Sequence, residues 1–103
     1  MRMLMKVNLD TATGNNAVRN GTLGSTIKSI LDEIKPEAAY FIAEGGKRTG
    51  LLIIHMDDAS QIPSFAEPWF LALNASVECV PAMVPADLQK AAPDIERAVK
   101  MQG

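Results

Sequence analysis

LLIIHMDD, residues 51–58, runs four aliphatic side chains into the only histidine of the chain and then into two aspartates. In a β-strand successive side chains point to opposite faces. Leu51 and Ile53 therefore share one face, and Leu52, Ile54 and Met56 the other. Neither face is polar, so the stretch reads as a strand that needs burial on both sides.

The segments around it supply the rest of the fold. Upstream, EAAYFIA (37–43) is a second strand with Tyr40 and Ile42 opposite Phe41 and Ala43, joined to the first through a turn expected over Glu44 to Thr49, where Gly45 and Gly46 supply hairpin geometry. RMLMKVNL (2–9) alternates: Met3, Met5, Val7 and Leu9 make one apolar face, and Arg2, Lys6 and Asn8 share the other with Leu4. Between these strands the period changes. Leu23, Ile27, Ile30, Leu31 and Ile34 recur at helical spacing, Pro36 ends the run, and Gly21 and Gly24 blur its start. After Asp57, Asp58 and Ser60, which suit helix N-caps, Ile62, Phe65, Trp69 and Leu73 form a second helical stripe that Pro68 should kink or split. ASVECVPAMV (75–84) is a fourth strand, and Pro81 consigns it to a sheet edge. The tail carries a third stripe, Leu88, Ala92, Ile95 and Val99, with Pro85 and Pro93 at first-turn positions of two short helices or within one bent helix.

The order is β-α-β-β-α-β plus a C-terminal helix. It predicts a single α+β, ferredoxin-like domain over 1–103, with a four-stranded antiparallel sheet in the order 4-1-3-2 and both main helices on one face.

Composition narrows the functional classes. The 103 residues are 48% hydrophobic and carry a formal net charge of −2, which excludes disorder and argues against a nucleic-acid partner. Lys47-Arg48 beside the paired glycines reads as a solvated turn rather than a phosphate clamp. No run is long enough for a membrane span, and the apolar start is too short for a signal peptide. Cys79 is the lone cysteine, so the expected setting is a reducing cytoplasm, with Cys79 an inert core thiol. One histidine and one cysteine cannot close a zinc shell, and the glycines at 14, 21 and 24 lack the spacing of a dinucleotide fingerprint, so no metal and no cofactor is expected.

Two-sided strands have a consequence for assembly. Burying a Leu or Ile side chain contributes roughly 1.5–3 kcal/mol, and a small domain holds only about 5–15 kcal/mol in total. A handful left wet is a serious loss. The helices cover one face, and the simplest cover for the other is an identical subunit related by a twofold axis. The expectation is a homodimer with sheets packed face to face. This arrangement resembles the dimeric α/β-barrel superfamily over nearly the whole chain, and the stretches IKPEAAYF and AEPWFLALNASVE are similar to those of small bacterial proteins. The resemblance implies a homodimer and a cavity between the sheets. The superfamily spans cofactor-free monooxygenases, haem-degrading enzymes, lactone isomerases and members without known activity, so it does not choose a reaction. Haem-degrading relatives carry an iron-ligating histidine on a helix, whereas the sole histidine here falls on a strand.

Matching the faces directs Lys6, Asn8, Tyr40, Glu44, Leu51, Ile53, His55 and Glu78 toward the partner sheet. His55 and Tyr40 are the candidate catalytic groups, one a proton carrier near neutrality and the other a hydrogen-bond donor. Lys6, Asn8, Glu78 and Trp69 are candidate ligand-binding residues. Each has a plainer reading: His55 as a satisfied strand-end side chain, Lys6 and Glu78 as a cross-strand pair, Trp69 as core. With no nucleophile–base pair, the expected function is a homodimeric module that assembles or binds a small hydrophobic ligand between its sheets. The alternative is a cofactor-independent monooxygenase or isomerase acting on a small hydrophobic or aromatic molecule.

Overall fold

The computed structural model describes residues 1–103. Its elements are β1 (Arg2–Asn8), α1 (Thr11–Arg19), α2 (Leu23–Ile34), β2 (Ala38–Glu44), β3 (Lys47–His55), α3 (Ile62–Leu73), β4 (Ser76–Pro81) and α4 (Pro85–Gln102), with one 3-10 turn at Ala59–Gln61. The sheet is antiparallel throughout and its order is β2-β3-β1-β4, as a ferredoxin-like fold requires. Pro81 ends the edge strand β4, where its missing N–H costs no ladder bond.

One layer of core lies between the sheet and two helices. Met3, Met5 and Val7 of β1 and Leu52 and Ile54 of β3 meet Ile30 and Ile34 of α2 and Trp69 and Leu73 of α3 in a single buried cluster. Cys79 and Val77 of β4 pack at its margin, as their strand parity implies, and burial raises the Cys79 thiol above its ordinary range. The stripe of α3 is rotated slightly from expectation, with Ala66 buried and Ile62 exposed.

Two local features depart from the sequence reading, the helical segment ahead of Pro36 and the hairpin turn, and two prolines decide between alternatives it left open. The segment ahead of Pro36 is two helices. Asp10 caps α1 by accepting from the Thr13 backbone at 3.0 Å, and Gly21 at φ +72° breaks the chain before α2. The hairpin turn is Gly45-Gly46 alone, both at positive φ, so Lys47, Arg48 and Thr49 are strand residues. Arg48 is half-buried and bonded to α1, not solvated in a turn. Pro68 does not split α3, which is one helix across it.

Of the two readings of the tail, the single helix holds: α4 is one 18-residue helix across Pro93, and none of its residues is buried. The molecule measures 59 × 28 × 20 Å with a radius of gyration of 17.3 Å, against about 13 Å for a compact domain of roughly 100 residues. A helix of this length spans about 27 Å. The stripe Leu88, Ala92, Ile95 and Val99 forms as read, yet its large members stay exposed, Val99 by 66%.

Candidate functional site

The candidate residues lie mainly on the outer face of the sheet, the side away from α2 and α3. Strand register arranges that face in rows. The first row holds His55 of β3 opposite Arg2 of β1. The second is apolar across all four strands: Ala38, Ile53, Leu4 and Val80. The third begins apolar with Tyr40 and Leu51 and turns charged at Lys6 and Glu78. The fourth runs from Ile42 through Thr49 and Asn8 to Ser76. An apolar band thus crosses the sheet and extends up the β2 side, between a charged end and a polar corner. Tyr40 is 64% exposed and Leu51 and Ile53 are half-covered.

At the charged end, Glu37, just ahead of β2, is the hub. Its Oε1 accepts from Arg2 Nη2 at 2.9 Å and lies 2.8 Å from His55 Nε2. A carboxylate can only accept, so Nε2 carries the proton of this contact and Nδ1 is the imidazole's remaining position. The Arg2 hydrogen bond, followed by that of His55, holds the Glu37 carboxyl below its ordinary range, and Glu37 in turn raises Arg2. His55 remains more than half exposed.

In the polar corner, Lys6 Nζ sits 3.1 Å from Glu44 Oε2. These residues belong to β1 and β2, with β3 between them, and Glu44 lies four residues along β2 from the row of Lys6, so the pair spans two strand spacings, roughly 10 Å, and a length of strand besides. Long side chains make that reach possible. Glu78, although directly opposite Lys6 in register, forms no ion pair. The cross-strand Lys6–Glu78 pair read from sequence is replaced by this longer one. Thr49 is buried and its Oγ1 donates to Asn8 Oδ1 at 2.8 Å.

The two candidate catalytic groups are apart. Tyr40 pairs with Leu51, four residues from His55 on β3, a separation of about 13 Å along the strand. Trp69 is 0% exposed in the core and lines none of the cavities; its Nε1 has no hydrogen-bond partner. A cleft of about 450 Å³ lies beside Arg2, His55, Met83 and Asp87. No group of three or more His, Cys, Asp or Glu side chains is placed to hold a metal ion. No helix is long and apolar enough to cross a membrane. Glu37, which organises the charged end of the face, was missed in the sequence, and Glu44, placed on this face, was not read as the partner of Lys6. Register would have placed Arg2 beside His55, but only the path after Pro36 brings Glu37 to both.

The chain matches no protein-family model and no curated protein.

Proposed function

We propose that the protein is a homodimeric module of the dimeric α/β-barrel type, whose two sheets close face to face and admit a small hydrophobic ligand between them. The observation that carries this reading is the apolar row Ala38, Ile53, Leu4 and Val80, continued by Tyr40, Leu51 and Ile42 on a face that no helix of the same chain covers. Such a patch, rimmed by Arg2, Glu37 and His55 at one end and Lys6 and Glu44 at the other, has the form of an interface core with a polar rim. The exposed stripe of α4 adds a second uncovered apolar surface on the same chain. Within one protomer His55 is held by Glu37 and stands well away from Tyr40, which speaks for assembly over oxygenase or isomerase chemistry.

Sedimentation velocity across a dilution series tests the proposal. The expected result is a dimer that Ile53→Lys converts to a folded monomer, with unchanged far-UV circular dichroism. A wild-type chain that sediments as a folded monomer at every concentration overturns it.

A further inference from the structure

At the hairpin end of the sheet, a cleft of about 380 Å³ opens between the start of α2 and the edge strand β2. This falls within the range of small-molecule sites, roughly 300–1,000 Å³. Leu9, Leu23, Ile27 and Phe41 give it apolar walls, and Arg48 is its only charged lining residue.

The surroundings of Arg48 are unusual for a half-buried cation. Its Nη2 donates to Asn15 Oδ1 at 3.0 Å, and no carboxylate lies within ion-pair distance. A guanidinium has five N–H donors, and one neutral amide leaves its charge uncompensated. The backbone makes room for this placement. A Cβ on Gly14, in α1, would fall 2.8 Å from Arg48 Nη1. A Cβ on Gly50 would meet the Phe41 ring at 3.3 Å, so Gly50 lets that ring lie back over β3 as a wall of the same cleft.

We infer that this cleft binds a small apolar monocarboxylate, with the carboxylate on the Arg48 guanidinium and the hydrocarbon body against Phe41, Leu23 and Ile27. The planar fork of Arg matches a carboxylate's two oxygens. A single cation suits one negative charge, while the apolar walls offer a phosphate ester or a sugar nothing for its further polar groups. The groups that would hold the ligand, Arg48, Phe41, Leu23 and Ile27, lie on the core side of the sheet; Ile42 and Thr49 of the outer face reach only the rim of the cleft.

Octanoate and the uncharged octanol of the same chain length, titrated into the 15N-labelled protein, test this directly. Octanoate is expected to shift the amides of Phe41, Ala43 and Thr49 saturably and to bind at least about tenfold more tightly than octanol, the advantage of a charge-assisted pair. Arg48→Gln should abolish that advantage and leave octanol binding unchanged. Gly14→Ala, which retains Arg48 but crowds its guanidinium, should weaken octanoate selectively, and it carries the test should Arg48→Gln fail to fold. Equal affinities for the two probes, shifts confined to other residues, or no shift below the micelle-forming concentration of octanoate overturns the inference.

Discussion

Leu52 and Ile54, on the inner face of β3, are 0% exposed, whereas Leu51 and Ile53, one residue along the same strand, stay half-covered. The side chains are of the same kind and the backbone is shared, so the difference comes wholly from what lies opposite. Inside, α2 and α3 bring Ile30, Ile34, Trp69 and Leu73 into a common cluster. Outside, the neighbours are Ala38, Tyr40 and Leu4 within the same sheet, and the two side chains stay partly exposed. Burial in one layer stabilises the fold, and under the proposed assembly the apolarity of the other is what a second copy covers. The helices repeat the contrast. Both α3 and α4 contain an internal proline, yet α3 buries Ala66, Trp69 and Leu73 while α4 buries nothing.

Substitutions on the two faces of β3 separate these roles. Leu52→Ala should cost about 2–5 kcal/mol, as core truncations do, read as a lowered urea midpoint at every protein concentration. Ile53→Ala should cost less in the protomer, about 1 kcal/mol, and, if the proposed dimer forms, the loss should grow with protein concentration. A Leu52→Ala loss no larger than that of Ile53→Ala would break the distinction between the faces.

Pro93→Ala tests whether α4 stands free. Removing a proline from a helix interior favours the helix by up to about 3 kcal/mol. Because no residue of α4 is buried in its own protomer, the gain should appear as slower amide exchange confined to residues 85–102, with the unfolding midpoint of the sheet domain unmoved. Gly50→Ala has a smaller expected effect, about 1 kcal/mol of destabilisation, since the new Cβ meets an edge-strand ring that can swing outward. The Phe41 ring resonances should shift with it.

The least effect belongs to the charged rim. The folded Glu37 carboxyl lies below its ordinary range because Arg2, then His55, hydrogen-bonds it. Its contribution is therefore fully present above the unfolded glutamate's pKa and fades as pH falls through the lower folded value. Arg2→Gln should return the Glu37 titration, followed by carboxyl NMR, toward that of an ordinary glutamate. Stability near neutral pH should change little, since solvent screens an exposed pair.

Periodicity made much of this legible. The two-residue repeat of RMLMKVN and the helical repeat from Leu23 to Ile34 identify the core face because every inward position is apolar. Proline chemistry put β4 at an edge. The break at Gly21 was harder to read, since a helix with a weak glycine and two helices joined by one look alike in a single sequence. The ends of the outer face were hidden for another reason. Lys6 has Glu78 as its register partner and Glu44 two strands away, and side-chain reach rather than adjacency decides between them. Arg48 looked like a turn residue until the tight Gly45-Gly46 turn placed it in β3, within reach of Asn15.

Apart from the division of the first helical segment, the amino-acid pattern alone determined the order of elements, the strand order of the sheet and which side chains share each face, because these follow from local period and from the handedness of L-residue chains. Tertiary structure decided which apolar face is covered and which charges meet, and it carried α4 away from the body. Those outcomes depend on where distant segments come to lie, and no local period records that.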